Sequence, residues 1–491
     1  MSAAVEIIAG VPGGPEIAAL LFNVRKYSGL TADSRKVVRG GLFAALKGAE
    51  ADGRSYADQA VLAGAAAILT DMRPIDHAWG NNVHVIQHED PRATLAIMAA
   101  AYYGVRPDTA ALVTGSSGKT STVEFARQLW QAIGRPAASI GTLGVIAPGA
   151  TSYGGLTSPD PVAMMAALAK LAGAGVSAVA IEASSHGLDQ SRLDGIYAEI
   201  GAFTSFSRDH LNYHGDEQSY LNAKLRLFRE VLALGAPAII CADMKSADQA
   251  IAAARLAGHA VLTYGRTGKF LKLTGLHPDG FGQVLEVMHP EGVTSVRLDH
   301  FAGFQAENAL AAAAIVIAGG ADITDTLAAI EGLAQPPGRM QRAAVTASGA
   351  PVYVDYSHKP DALKQALAAL NRVVTGNVTV VFGCGGDRDA GKRPIMGAIA
   401  AAGADRVIVT DDNPRSEEPT SIRRAILEAA PNAEEIADRG AAIRAALEGV
   451  GRSDVVLIAG KGHEQGQTIG PLTMPFNDVE EAQAAVMEAS Q

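Results

Sequence analysis

The sequence predicts an α/β protein of three domains: a small N-terminal α/β domain (residues 1–107), a central P-loop domain on a mostly parallel sheet (108–336) and a C-terminal Rossmann-like α/β domain (337–491). Three observations lead there. A chain of 491 residues is long enough for about three domains of ordinary size. Two stretches, 108–336 and 351 onwards, alternate short apolar runs with segments of helical spacing, the pattern of a parallel sheet wrapped by helices. Between them Gln335-Pro336-Pro337-Gly338-Arg339 breaks the alternation and sets the second boundary.

In the leading domain, Asp33-Ser34-Arg35 reads as a capping turn with a solvated arginine, followed by the apolar pair Leu42-Phe43. Lys47-Gly48 and Asp52-Gly53-Arg54 mark turns. Residues 56–63 read as helix, 65–70 and 83–87 as strands, and 93–103 as a helix ending near Gly104.

The central domain turns on Gly115-Ser116-Ser117-Gly118-Lys119-Thr120-Ser121. An apolar run at 110–113 precedes it and helical spacing follows, so the stretch is strand, tight loop, helix. The glycines let backbone N–H groups turn toward an anion, the helix N-terminus adds partial positive charge, and Lys119 adds a point charge for the outer phosphates. Thr120 offers a hydroxyl to magnesium. The loop is shorter than the common GxxxxGK[ST] form. A glycine turn with a surface lysine is the weaker alternative, because it leaves the flanking strand and helix unused.

Further along, 176–182 is an apolar strand ending in Glu182, where such folds hold magnesium; a carboxylate capping the next turn is the alternative. A strand at 200–204 runs into Ser207–Gly215. His210 and His214 stand four apart, but Gly215 and the polar surroundings make this a loop, so one histidine near magnesium is expected rather than a zinc pair. Residues 220–228 form a helix in which Lys224 reads as a snorkelling surface lysine. Strands follow at 238–241 and 260–264, shorter hairpin-like runs near Leu271, Val284 and Val296, and helices at 306–318 and 323–333.

The C-terminal domain has a strand at 352–356, a helix at 360–373 and strands at 378–382, 406–410 and 455–459. The last three run into polar clusters at 383–389, 411–415 and 460–464. Open α/β sheets place ligands at such C-terminal strand ends. Gly383-Cys384-Gly385-Gly386 lacks the dinucleotide-binding spacing, so no redox cofactor is expected.

Composition narrows the function class. A net charge of −10 without a basic run argues against nucleic acid or an anionic membrane as partner. Cys241 and Cys384 match neither a disulfide framework nor a metal spacing and read as buried thiols. The N-terminus lacks the basic and apolar regions of a signal peptide, and the apolar run 161–180 is interrupted by Lys170. A cytoplasmic monomer is the expectation.

Taken in order, Asp33-Ser34-Arg35, the Gly-x-x-Gly-Lys-Thr loop, Thr157-Ser158-Pro159-Asp160, Glu182-Ala183-Ser184-Ser185-His186-Gly187, Asp209-His210-Leu211, Ala223-Lys224, Asn308-Ala309, Gly338-Arg339, Val354-Asp355-Tyr356, Gly385-Gly386-Asp387-Arg388 and Asp412-Asn413-Pro414-Arg415 resemble the Mur ligases over essentially the whole chain. The resemblance implies a uridine-holding N-terminal domain, a central ATPase and an amino-acid-binding C-terminal domain. It implies catalytic roles for Lys119, Lys224 and His210, with Ser34, Thr157, Ser158, Ser184, Gln190 and Arg192 holding a UDP-N-acetylmuramoyl-dipeptide. The phosphate loop, Asn308, Arg339 and Asp355 would contact ATP. Thr120, Glu182, His210 and Lys224, the last as a carbamate, would hold or line magnesium, and this reverses the surface reading of Lys224. Ser116-Ser117 stand where the family usually has Thr-Asn, and Asn212 where it usually has Asp.

Arg388, Asp412, Asn413, Pro414, Arg415, Gly460 and Glu464 match positions the family uses for the incoming amino acid, and they imply the branch that adds meso-diaminopimelate. That compound is lysine plus a distal carboxylate. A site choosing it needs donors that lysine would leave unpaired, and the Arg415 guanidinium supplies such a fork. The alternatives are the lysine-adding branch of the same family and, further off, a folylpolyglutamate synthase-like ligase.

Overall fold

The computed structural model describes residues 5–8, 23–48, 51–74, 83–152, 156–280, 282–300 and 302–489. The chain divides into two compact units: Met1–Lys272 with His289–Glu291 and Leu310–Thr326, and Leu273–Met288 with Gly292–Ala309 and Leu327–Gln491.

The first unit holds two parallel arrays. A five-stranded sheet runs Val5–Ile8, His84–His88, Ala67–Thr70, Leu42–Ala44, Leu30–Thr31, with every pair parallel. Helix Pro91–Tyr103 starts because Asp90 accepts the N–H groups of Arg92 and Ala93 and proline occupies the first turn. It stops where Gly104 turns left-handed, with φ of 72°. Asp33 caps the short turn Ser34–Lys36 in the same way and pairs with the exposed Arg35, as the local sequence suggests.

The larger array orders its parallel strands Val261–Gly265, Ala238–Cys241, Ile200–Phe203, Thr109–Thr114, Ala178–Glu182 and Ala137–Gly141. Antiparallel strands Gly144–Ala147 and Ala150–Ser152 extend it. Thr109–Thr114 lies between Ile200–Phe203 and Ala178–Glu182, so the three connections leaving those strands emerge side by side. Helices Lys119–Ala132 and Pro161–Gly173 follow two of the strands. The central strands are buried along their length and read as continuous apolar runs, as parallel strands covered on both faces should.

Three local expectations change. The segment after Asp209 is a helical turn, Leu211–His214, rather than a loop; His210 caps it with φ of 52°. The helix carrying Lys224 runs Glu217–Arg226 and loosens into a π-helical turn, Leu227–Val231. Lys224 is 1% exposed, so it does not snorkel.

The second unit carries a sheet ordered Gln341–Val345, Pro351–Asp355, Val455–Ala459, Val378–Phe382, Arg406–Val409, Glu434–Glu435, parallel except for the first pair. Alternation along the strands feeds two cores: Val380 and Phe382 join Leu363, Leu367, Met396 and Ile426 on one side, while Val381 joins Ile443, Val354 and Ile458 on the other. A two-stranded hairpin, Gly466–Ile469 with Leu472–Pro475, follows the polar segment after Ala459. Cys241 and Cys384 are buried thiols.

Candidate functional site

In the first unit the phosphate loop is clamped by the neighbouring strand end. The Ser116 N–H donates to the Ser205 carbonyl, and its hydroxyl bonds the Ser207 carbonyl at 3.0 Å. Thr204 Oγ1 donates to the Ser117 carbonyl at 2.6 Å, and Ser205 Oγ accepts from the Ser117 N–H at 2.9 Å. Gly115 sits at φ 152°, where an added Cβ would strike Thr204 Oγ1, and Gly118 at φ 86° caps the helix that Lys119 opens. Thr120 and Ser121 are buried in that first turn.

Two lysine side chains converge on the loop. Lys119 Nζ donates to the Gly115 carbonyl at 2.8 Å, and Lys224 Nζ, from a helix 109 residues away in the chain, donates to the same oxygen at 2.9 Å. Lys224 also lies 4.5 Å from the centre of the Tyr220 ring. Two lysine nitrogens gathered on one carbonyl at the mouth of a helix N-terminus are an arrangement that suits phosphate oxygens.

Glu182 ends the adjacent strand, 1% exposed, and accepts the Thr142 N–H at 2.8 Å and its hydroxyl at 3.2 Å. Thr142 Oγ1 lies 3.1 Å from Thr157 Oγ1. Ser158 Oγ donates to the Glu182 carbonyl at 2.9 Å and lies 3.0 Å from Ser184 Oγ, which caps the next helix through the Gly187 N–H. Arg192 bonds the Ser158 carbonyl at 2.9 Å and Gln190 Oε1 at 2.7 Å. Five residues expected to hold the sugar-peptide (Thr157, Ser158, Ser184, Gln190, Arg192) thus form one polar network around Glu182. Ser34 lies elsewhere in this unit, its hydroxyl 3.4 Å from Gln59 Oε1.

Beside that network His186 stacks among Tyr213 (4.1 Å), His210 (4.9 Å) and His214 (5.5 Å between centroids). Burial, then the neighbouring His214, pushes the His186 pKa down; burial does the same for His214. Both rings are therefore neutral near pH 7. His210 faces Asp209 at 3.3 Å. Among the described residues no three His, Cys, Asp or Glu side chains are grouped to hold a metal ion. Thr120, Glu182 and His210 are nevertheless a hard or borderline donor set, and that fits magnesium, which takes few protein ligands and completes its shell with phosphate oxygens and water.

The second unit holds the other expected residues. Asp355 ends its strand buried, accepting the Met340 N–H at 2.7 Å and the Ser357 hydroxyl. Burial raises its pKa, against the opposing pull of Ser357 and Arg339. The Arg339 guanidinium stacks 4.7 Å over Tyr356, which also packs against His358 and His463, and burial lifts the Tyr356 phenol to about 12. Gln305 ties Asn308 to the Arg339 carbonyl through bonds of 3.0 and 3.2 Å. The sequence had no signal for this ring cluster, because its members come from separate strand ends.

The amino-acid set is tightly knit. Asn413 Nδ2 donates to Glu464 Oε2 at 2.8 Å, and Asn413 Oδ1 accepts from the Thr468 N–H at 2.9 Å. Gly460, at φ 118°, leaves room for the Asp412 carboxylate; a Cβ there would lie 2.8 Å from Asp412 Oδ2. Pro414 is buried, and Arg415 takes a left-handed φ of 52° and donates to the Gly386 carbonyl at 2.8 Å. Arg388 is exposed and bonds the Asp387 carbonyl. Two residues that sequence reasoning overlooked sit behind them. Lys461 is fully buried, and Arg439 forms a fully buried two-bond pair with Asp478 while donating to the Ala459 carbonyl at 3.0 Å.

Three family models match in succession: "Mur ligase family, catalytic domain" at 26–103, "Mur ligase middle domain" at 113–316 and "Mur ligase, glutamate ligase domain" at 338–462. A UDP-N-acetylmuramoyl-L-alanyl-D-glutamate–2,6-diaminopimelate ligase of Mesorhizobium japonicum is 51% identical across 94% of this chain and 95% of its own. A solved structure of a ligase of that description superposes with a TM-score of 0.70 at 33% identity, covering 95% of this chain and 96% of that one. A folylpolyglutamate synthase of Mycobacterium tuberculosis, 19% identical over 75% of this chain and 92% of its own, has a TM-score of 0.64 and is similar in fold.

Proposed function

Because this chain belongs to the Mur ligase family, we propose that it joins meso-diaminopimelate to UDP-N-acetylmuramoyl-L-alanyl-D-glutamate at the expense of ATP, as a cytoplasmic monomer without nucleic-acid or membrane partners. Among the described residues no helix is long and apolar enough to cross a membrane. The division of labour is 1–107 for the uridine end, 108–336 for ATP and 337–491 for the amino acid. The observation that carries this reading is the convergence, at neighbouring strand ends, of a phosphate loop that gathers Lys119 and Lys224 and of Glu182, whose buried carboxylate is held by Thr142 and whose main-chain carbonyl is tied to Ser158 and through it to Ser184.

A carboxylate is a poor electrophile, so amide formation needs activation. The D-glutamyl carboxylate attacks the γ-phosphorus of ATP, ADP leaves, and an acyl phosphate forms. The diaminopimelate amine then adds to the acyl carbon, and the tetrahedral adduct expels phosphate. The protein's work is to bring several negative groups together in line, which is positioning and charge stabilisation. Lys119 and the loop amides take the phosphates. Thr157, Ser158, Ser184, Gln190 and Arg192 orient the sugar-peptide, Ser34 the uridine, and Asn308, Arg339 and Asp355 the nucleotide. Thr120, Glu182, His210 and a Lys224 carbamate would hold magnesium, which would supply further charge neutralisation. Burial of Lys224 supports the carbamate, since that group forms from a neutral amine and CO₂.

Arg415 favours diaminopimelate over lysine. The test is phosphate release by the purified chain given ATP, the UDP-linked dipeptide and either amino acid. Release that needs all three substrates and prefers diaminopimelate supports the reading; ATP turnover indifferent to both the dipeptide and the amino acid overturns it.

A further inference from the structure

A lysine with no exposure is expensive unless its charge is matched, and Lys461 is matched entirely by residues of the amino-acid set. Its Nζ donates to Asn413 Oδ1 at 3.0 Å and to Glu464 Oε2 at 3.1 Å. Asn413 Nδ2 donates to that same Glu464 oxygen at 2.8 Å, and the Thr468 N–H fixes the other end of the amide. An asparagine side chain alone can flip end for end. Here an ammonium and a backbone N–H both face Oδ1, so the oxygen is held inward and the NH₂ toward Glu464. Both donors take Oε2. The Glu464 side chain is 31% exposed, and among the described residues no hydrogen bond or ion pair takes its other oxygen, Oε1.

We propose that Lys461 is a positioning residue for the incoming amino acid: its buried ammonium locks the Asn413 amide and one Glu464 oxygen, so that the second oxygen is presented to a substrate ammonium group. The inference rests on reading Asp412–Arg415 and Gly460–Glu464 as the amino-acid site. Lys461 touches no substrate itself. Its removal frees the Asn413 amide to flip and the Glu464 carboxylate to swing, and it therefore weakens amino-acid binding while sparing the phosphate loop.

The test compares wild type with Lys461→Met in the full chain, measuring KM for diaminopimelate, ATP and the UDP-linked dipeptide together with kcat. The expected result is a KM for diaminopimelate raised at least about tenfold, the size of one charge-assisted bond, with the other two KM values and kcat at saturation within about threefold. A KM for diaminopimelate within twofold of wild type overturns the proposal, and so does an equal rise in all three KM values. A second comparison serves if Lys461→Met does not fold. Lys461→Met placed in Glu464→Gln removes both charges, and its KM for diaminopimelate should lie within about threefold of Glu464→Gln alone; a further tenfold rise shows that Lys461 acts by another route. Wild type without diaminopimelate-dependent phosphate release removes the underlying reading, whereas normal wild-type kinetics with unmoved variants removes the positioning role alone.

Discussion

The phosphate loop and the amino-acid cluster both sit at the C-terminal ends of parallel strands, yet they are built from different materials. The loop is local: seven consecutive residues, two glycines with positive φ, and bonds that are mostly backbone to hydroxyl. The amino-acid cluster draws on three strand ends and is fixed by side chains, several of them charged and buried. Backbone geometry survives changes of side chain, which is why serines can stand where the family usually carries Thr-Asn. A side-chain lattice tolerates much less, because each member is the partner of another.

The largest expected effect probes that lattice. Arg439→Ala strands the Asp478 carboxylate in a site where both partners are 0% exposed, and it should cost about 3–5 kcal/mol of unfolding free energy. Denaturant unfolding checks this, and a loss below about 1 kcal/mol would show that the pair does not hold the cluster's floor. In the first region the contrast is sharp. Lys119→Ala should leave unfolding nearly unmoved while lowering kcat by roughly 10²–10³, the range for removing one preorganised donor from a developing charge. Steady-state phosphate release reads that outcome, and a kcat within tenfold of wild type would deny the lysine its role.

The contrast also explains what could be read from the chain itself. Strand Thr109–Thr114, the loop and the helix behind it, Lys119–Ala132, lie within 24 consecutive residues, so their order alone gave the chemistry. Strand Ala137–Gly141 escaped notice because Ala-Ala-Ser-Ile-Gly carries little β preference; neighbouring strands, not its own residues, hold it in the sheet. Lys224 looked like a surface lysine since its burial is decided by packing against Gly115, 109 residues away. Lys461 and Arg439 went unassigned for the same reason: Asn413, which accepts from Lys461, and Asp478, which pairs with Arg439, are 48 and 39 residues distant. The polar clusters at strand ends were legible, but their internal wiring was not.

A smaller effect sharpens the amino-acid region. Burial, then the neighbouring Arg339, pushes His463 down to about 3, so it stays neutral when folded, whereas in the unfolded chain it titrates near 6.5. Its depressed pKa contributes stability that is present above about pH 6.5 and is lost as pH falls toward 3, by at most about 1.4 kcal/mol per pH unit. Wild type should therefore lose more stability than His463→Gln between pH 6.5 and 4.5. Equal losses would place His463 in a wetter setting than its ring contacts imply.

The most direct measurement is the ratio of kcat/KM for diaminopimelate to that for lysine, in wild type and in Arg415→Ala. Wild type should strongly prefer diaminopimelate, and in the variant kcat/KM for diaminopimelate should fall at least about tenfold, the size of one charge-assisted bond, with lysine little affected. An unchanged ratio would contradict this, because the guanidinium would then not be reading the distal carboxylate.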